Sequence, residues 1–166
     1  DRAIFIEGTG LIFNHAIDSI QNVTVAAGFT REISENANNT AYYRNAYGLG
    51  LAYNFVHTTY GLDLERQVTK NQGDKRTKNE VRAIVRQGLN EDWNVYAMYA
   101  YKTDKQFGDT DRTRQFMVGT EYYVYNQGSL KVKPFLEWQA TRTKYENSTV
   151  DRSRDFKTVI GLRAYW

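Results

Sequence analysis

The chain contains no cysteine and only two histidines, His15 and His57. The first absence excludes disulfide frameworks and thiolate metal sites, and two distant histidines offer no ligand spacing for a metal centre. The sequence therefore predicts no metal site and no cofactor. Each histidine is expected in or beside a short turn, with no serine in a catalytic setting nearby. We therefore expect no catalytic residues and no enzymatic activity.

The chain is also poor in proline and has no long apolar run. One proline among 166 residues suits long, uninterrupted β-strands. A membrane-spanning helix needs roughly 20 consecutive apolar residues, and no segment approaches that length. The mean hydropathy of the chain is −0.67. A helical membrane protein is therefore excluded, whereas strands that are apolar on one side only are not.

Aromatic residues are abundant and unevenly distributed by type. The chain has 13 tyrosines, 8 phenylalanines and 3 tryptophans. A tyrosine side chain joins an apolar ring to a polar tip, so it suits a boundary between apolar surroundings and water better than a dry core. This composition favours a structure that meets such a boundary over a large area.

About nine segments alternate between two kinds of side chain over roughly 10 residues or more, the length of a barrel strand. In residues 43–55, bulky side chains mostly occupy odd positions, and small or polar ones even positions. In residues 60–65, Asp63 and Glu65 alternate with apolar residues. Burying ionised carboxylates away from water is costly, so the face that carries these acids is expected to line a water-filled interior. Residues 156–166 alternate in the same way and reach a tryptophan, Trp166.

These patterns predict an all-β fold, an antiparallel up-and-down transmembrane β-barrel that forms one domain over residues 1–166. One face of each strand would contact lipid and the other would face a polar lumen. Aromatic side chains concentrate at membrane interfaces. The residues expected there are Tyr43, Tyr53, Phe55, Trp93, Trp138 and Trp166.

The connections between segments predict the topology. We expect short periplasmic turns at 54–57, 90–92 and 126–129, and longer outer loops at 35–39, 71–76, 108–111 and 146–154. An odd count of nine strands would place Asp1 outside the cell. Bacterial single-chain barrels have an even strand number. We therefore expect an N-terminal portion to be missing and the full barrel to have 10 or 12 strands, unless one weak strand is miscounted.

Charged residues on the predicted polar face are the candidate pore lining. The basic ones are Arg44, Arg82, Arg86, Lys102, Lys131, Lys133, Lys157 and Arg163. The acidic ones are Asp63, Glu65, Glu121 and Glu137, and Glu7 and Asp155 are placed on the same face. A slight positive excess would attract anions. Alternatively, the cations pair with Glu121 and Glu137 and fill a narrow barrel with salt bridges.

Three segments resemble the small monomeric oligosaccharide porins of Gram-negative bacteria, the group that includes the oligogalacturonate and sialic-acid porins. They are Gly128 to Trp138 (GSLKVKPFLEW), Glu80 to Arg86 (EVRAIVR) and Gly161 to Trp166. The resemblance implies a monomeric barrel of twelve strands in the bacterial outer membrane, with a basic lumen.

The sequence thus predicts an outer-membrane channel for passive diffusion of small solutes, with anionic oligosaccharides as the solute class. The expected partners are the lipid bilayer, lipopolysaccharide and small anionic solutes. Nucleic acid is not expected, because a net charge of +3 is modest and no basic helix accompanies it. The alternative is a non-conducting barrel whose extracellular loops bind a partner. A soluble lipocalin-like barrel is disfavoured, because Arg82, Lys133 and Glu137 lie opposite the apolar face.

Overall fold

The computed structural model describes residues 3–35, 41–71, 73–127, 130–147 and 152–165. These residues form the strands β1 Ala3–Ala16, β2 Gln21–Glu35, β3 Ala41–Phe55, β4 Thr58–Asn71, β5 Asp74–Gly88, β6 Trp93–Gln106, β7 Asp109–Tyr122, β8 Tyr125–Gln127, β9 Leu130–Lys144 and β10 Arg152–Tyr165. Within these ranges there is no helix of the length and apolarity that crossing a membrane requires.

All strands belong to one antiparallel sheet. The nine long strands lie in sequence order, and the three-residue strand β8 pairs with the start of β9. The predicted all-β, up-and-down architecture and the count of about nine strands are therefore confirmed. Each long strand has 14 or 15 residues. At about 3.4 Å per residue the strands are roughly 50 Å long.

The sheet is not closed in the described residues, because β1 and β10 do not pair with each other. Every pairing between consecutive long strands is antiparallel, so the nine strands alternate in direction. The first and the last strand consequently run in the same direction. Both edge strands are open: Ile12 on β1 is 77% exposed and Ile160 on β10 is 80% exposed.

Residues directly opposite one another in antiparallel strands share a face of the sheet. The register places Leu51, Leu62, Val85 and Val118 on the face that we call the apolar face. The opposite, polar face carries Asp63 and its cross-strand partner Arg82, as the alternation predicts. The placement of Glu7 on the polar face is wrong. Glu7 lies opposite Arg31, in a row of the apolar face, because the early segment carries apolar residues at both odd and even positions.

The distribution of burial is the reverse of that in a water-soluble domain. Among the described side chains, the buried ones are Tyr96 at 7%, Ala100 at 1%, Glu121 at 1% and Lys133 at 7% exposure, and all four lie on the polar face. The large apolar side chains of the other face are exposed; Leu136, for example, is 46% exposed. Soluble domains bury apolar residues and leave lysine and glutamate outside. Here the apolar face is the one left uncovered.

The polar face is concave. Alternate strands of a flat sheet lie nearly 10 Å apart, yet polar-face side chains make hydrogen bonds and salt bridges across an intervening strand. Arg86 on β5 reaches Glu121 on β7 at 3.1 Å, and Tyr96 on β6 reaches Glu137 on β9 at 2.6 Å. Together with the burial of Glu121 and Tyr96 on this side, these contacts indicate that the sheet curls toward its polar face.

Connection lengths differ from those predicted. The connections at one end, which we call the Ile17 end, are residues 17–20, 56–57, 89–92 and 123–129. Those at the other, the Phe107 end, are 36–40, 72–73, 107–108 and 145–151. The longer loops predicted at 71–76 and 108–111 are wrong, because both positions are two-residue hairpin connections. The short turn predicted at 126–129 corresponds to the connection between β8 and β9, which pair with each other from Gln127 and Leu130 onward. Connection length does not distinguish the two ends.

Two turns show how the chain reverses. Phe107 and Gly108 both have positive φ, 51° and 94°, which is the geometry of a two-residue hairpin turn. In the turn 17–20, the Gln21 amide donates to the Asp18 carboxylate at 2.5 Å and the Ile20 backbone N–H donates to it at 2.9 Å. These hydrogen bonds, the one from Gln21 foremost, hold the pKa of Asp18 below its usual range.

Candidate functional site on the polar face

The polar face is the candidate site, and its centre is the buried carboxylate of Glu121 on β7. Three cations surround it. Arg86 lies 3.1 Å from Oε1, Lys133 lies 3.3 Å from the same oxygen, and Arg163 lies 3.1 Å from Oε2. Arg163 also contacts Glu137 at 2.6 Å. We call Arg86, Glu121, Lys133, Glu137 and Arg163 the Glu121 cluster.

Aromatic rings enclose the Glu121 cluster. The Lys133 ammonium lies 4.3 Å from the centre of the Tyr123 ring, and the Arg163 guanidinium carbon lies 4.1 Å from the centre of the Phe135 ring. The Tyr96 hydroxyl donates to Glu137. Cation–π contacts of this kind stabilise a positive charge that has lost its water. The cluster is therefore a packed, charge-paired assembly.

Gly119 makes room for the Tyr96 ring. A Cβ atom at Gly119 would lie 2.5 Å from Cζ and 2.7 Å from the hydroxyl of Tyr96. Such distances require the ring to shift. The ring cannot move freely, because its hydroxyl is bound to Glu137. Gly161 plays the same part for Phe135, since its added Cβ would lie 2.5 Å from Cζ of that ring.

We expect Gly119→Ala to lower the free energy of unfolding by about 1–3 kcal/mol through this overpacking. Gly48→Ala is the matched control, because nothing lies within 4 Å of an added Cβ there. Denaturant titration of both variants, followed by tryptophan fluorescence, measures the difference. Equal stabilities of the two variants would contradict the predicted close packing of Tyr96.

The other predicted basic residues are also paired, with one exception. Arg82 contacts Asp63 at 3.1 Å, Lys102 contacts Glu80 at 3.3 Å and Arg44 contacts Glu32 at 3.6 Å. Lys157 is exposed and forms no salt bridge within the described residues. The side chain of Lys131 lies outside the described part of the chain. The alternative prediction was that the cations pair with Glu121 and Glu137. This pairing is found near the Ile17 end of strands β5 to β10.

Among the described side chains, the polar face does not carry the predicted positive excess. Its described side chains include nine cations: Arg44, Arg76, Lys78, Arg82, Arg86, Lys102, Lys133, Lys157 and Arg163. They also include eleven acids: Glu32, Asp63, Glu65, Asp74, Glu80, Asp104, Asp109, Asp111, Glu121, Glu137 and Asp155. The excess disappears because Asp104, Asp109 and Asp111, near the Phe107 end, lie on strands.

Over strands β1 to β3, the space above the polar face is open, in contrast to the space that side chains of the Glu121 cluster occupy. Small residues occupy it there: Gly10, Ala26, Gly28, Ala46, Gly48 and Gly50. They line a cavity of about 620 Å³, whose far wall carries Asp63, Glu65, Glu80 and Arg82. We call this space the small-residue groove. The sequence pattern predicted small or polar side chains at the even positions of residues 43–55, but not that small residues continue across three strands. The signal was present in the even positions of residues 8–30.

The predicted interface aromatics that lie within the described residues share the apolar face. Tyr53 stacks on Phe55 with ring centres 6.4 Å apart, near the Ile17 end. Trp93 donates from its ring nitrogen to Thr120 at 2.6 Å at the same end, and Tyr43 lies toward the Phe107 end. Trp138 lies in the middle of β9, opposite Thr158 and Val118. Trp166 lies outside the described residues.

Neither histidine belongs to the polar-face cluster. His15 lies on the apolar face beside Phe13, with ring centres 6.2 Å apart, and His57 lies in the two-residue turn before β4. In the described ranges, no group of three or more His, Cys, Asp or Glu side chains is arranged to hold a metal ion. No protein-family model matches the chain, and no curated protein matches it at a significant level.

Proposed function

We propose that this sheet is part of the wall of an outer-membrane β-barrel, with the apolar face toward lipid and the concave face toward a water-filled lumen. The observation that carries the proposal is the inverted burial: Glu121 and Lys133 are buried while the apolar face is exposed. An apolar surface of this extent on a monomer marks contact with a membrane or a partner. Its extension over nine strands favours a membrane.

The open edges bear on how such a barrel closes. A strand edge in lipid leaves backbone N–H and C=O groups unsatisfied, at a cost of several kcal/mol each. Because β1 and β10 run in the same direction, direct pairing between them would be parallel. An antiparallel closure needs an odd number of further strands between β10 and β1. An even total number follows, as in other bacterial barrels.

Within this barrel, we propose passive diffusion of small polar solutes, including oligosaccharides, as the function. The small-residue groove gives them a path beside the filled Glu121 cluster. The sequence-based choice of anionic solutes depends on an excess of positive charge. With nine cations and eleven acids on the polar face, we propose weak charge selectivity instead.

A second candidate is a non-conducting barrel whose loops bind a partner. The Glu121 cluster favours it, because paired side chains and the rings of Tyr96 and Phe135 occupy the concave side of β5 to β10. In small barrels side chains fill the interior, whereas larger barrels leave a channel. The number of strands that complete the wall decides between these two candidates.

Single-channel recording in planar bilayers tests the proposal. We expect ohmic conductance with a reversal potential near zero in a potassium chloride gradient, because the lumen charge is balanced. Glu65→Lys should shift the reversal potential toward chloride selectivity, since Glu65 is exposed on the wall of the small-residue groove. Glu7→Lys makes the same change of charge on the apolar face and should leave selectivity unchanged.

The outcomes are distinct. No resolvable conductance from folded, membrane-inserted protein would favour the non-conducting barrel. An equal shift in the Glu65→Lys and Glu7→Lys variants would contradict the proposed path along the groove, because the effect would then depend on net charge alone.

A further inference from the structure

Toward the Phe107 end, the apolar face gives way to two rows of positive charge. Each row has three residues that lie directly opposite one another on β7, β9 and β10. The rows are Arg114, Arg142 and Arg154, and, one step closer to the strand ends, Arg112, Lys144 and Arg152. We call these six residues the basic patch.

The described side chains of the apolar face offer the basic patch no nearby counter-charge. All six side chains are exposed, and none forms a salt bridge with another described residue. The one acid among the described side chains of the apolar face is Glu7, on distant β1. Nearby Glu146 accepts a hydrogen bond from the Thr110 backbone, and Asp111 accepts one from the Glu146 backbone at 3.3 Å. Asp111 itself lies on the polar face.

Like charges directly opposite one another destabilise a sheet. On the polar face, Lys133 and Arg163 also lie opposite each other, but both contact the carboxylate of Glu121, which offsets their repulsion. The described side chains of the apolar face include one acid, Glu7, and eleven cations. The cations are Arg31, Arg66, Lys70, Lys75, Lys105, Arg112, Arg114, Arg142, Lys144, Arg152 and Arg154. Among the described side chains, the excess of positive charge therefore lies on the apolar face, whereas the polar face holds more acids than cations. Within the described part of the chain, no carboxylate neutralises the basic patch, which leaves it open to an external anion.

The position of the basic patch indicates what supplies that charge. The next row toward the centre of the sheet is Phe116, Ala140 and Phe156. Trp138 packs against both phenylalanines, with ring centres 6.5 Å and 6.1 Å away. The row of three arginines therefore lies about 7 Å, or two residues along a strand, beyond the row that contains the two phenylalanines. In a bilayer, phosphates lie at this boundary, just beyond the acyl chains.

We propose that the basic patch binds the phosphate groups of anionic lipids in the leaflet at the Phe107 end. This inference rests on the proposed membrane location of the apolar face. Arginine presents a planar fork that binds phosphate through two hydrogen bonds, and five of the six residues are arginine. Opposing side chains begin about 5 Å apart, so neighbouring arginines can converge on one phosphate. Their long stems lie along the apolar surface while the charge stays at the headgroups.

Trp138 provides a local reporter of the lipid beside the basic patch. In a variant with Trp93→Phe and Trp166→Phe, Trp138 is the single tryptophan of the chain. The protein is reconstituted with lipids brominated on the acyl chains, either phosphatidylglycerol or phosphatidylcholine, because bromine quenches tryptophan at contact. We expect quenching to show about a tenfold preference for phosphatidylglycerol at low salt, decreasing as salt rises.

Three further variants, built on that background, assign the preference to the basic patch. Replacing Arg114, Arg142 and Arg154 by glutamine should bring the preference close to unity, and replacing them by lysine should retain part of it. Replacing Arg31, Arg66 and Lys70 by glutamine removes the same charge from the same end of the apolar face and should retain the full preference. Circular dichroism checks that each variant keeps its sheet.

The remaining outcomes would contradict either the lipid site or the membrane location. No preference in the starting protein, or an equal loss in the control variant, would overturn the patch as a lipid site. Inorganic phosphate that displaces phosphatidylglycerol better than chloride at equal ionic strength would indicate a free-anion site and overturn the lipid assignment. Absence of quenching by either lipid would instead refute the membrane location on which the inference rests.

Discussion

Replacing Glu121 by glutamine should lower the free energy of unfolding by about 3–5 kcal/mol, the cost of removing one partner from a buried ion pair. Glu121 is 1% exposed, and it is the carboxylate shared by Arg86, Lys133 and Arg163. Arg163 keeps Glu137, so the largest loss falls on buried Lys133. Denaturant titration from lipid vesicles measures the change.

Two variants make this prediction specific. Glu65→Gln removes an exposed carboxylate from the same face and should change stability by about 0.5 kcal/mol or less. Adding Lys133→Met to Glu121→Gln should recover part of the lost stability, because a buried cation that has lost its carboxylate is then removed. A Glu121→Gln protein as stable as the Glu65→Gln protein would show that the Glu121 cluster contributes nothing to folding.

Placing an arginine at Leu136 should destabilise the inserted protein by about 2–4 kcal/mol, the penalty for a cation on the lipid face near the bilayer midplane. Leu136 lies between Thr120 and Ile160 on the apolar face, at mid-strand. If that face met water, an exposed leucine could become arginine at a cost within about 0.5 kcal/mol. The same titration from vesicles therefore distinguishes lipid from water outside the sheet.

Gln139→Arg is the control for Leu136→Arg. Gln139 lies three residues along the same strand but on the polar face, opposite Lys157 and Met117. An arginine there lies on the polar face, the side that we propose faces water, and should be tolerated. Two variants of equal stability would remove the support for a membrane-facing surface.

The faces of the strands could be predicted from the sequence where alternation is strict. Tyr43 to Phe55 and Tyr60 to Glu65 follow the predicted pattern. In each segment, bulky or apolar residues alternate with small or polar ones, so odd and even positions are easily assigned to different faces. The early segment does not. Ile12 and Phe13 are both apolar yet lie on opposite faces, so the period of two carries no information there. Glu7 was misplaced for that reason.

Strand ends were the weakest part of the prediction. Asp109 and Asp111 look like loop residues, yet they lie on β7 because a polar face accepts acids up to the end of a strand. The turn itself is Phe107 and Gly108. Phenylalanine is unfavourable at positive φ, so turn chemistry alone could not locate it.

The Glu121 cluster and the basic patch differ in how far the sequence could reveal them. Arg86 and Glu121 lie two strands apart, and their contact depends on the curvature of the sheet, which no local pattern encodes. The basic patch was within reach, since Arg142 and Arg154 continue the parity of Trp138 and Phe156. The sequence prediction did not include the basic patch, because it assigned a role only to charged residues of the polar face.

The meander also sets the order in which the protein can fold. Each long strand pairs with its neighbour in sequence, so every hairpin closes a short loop and can form independently of chain length. In the barrel that we propose, sealing the edges of β1 and β10 is the one step that brings distant segments together. Until that step, both edges expose unpaired backbone groups and can recruit other chains. Edge closure should therefore be the slowest event in folding and the one most prone to aggregation.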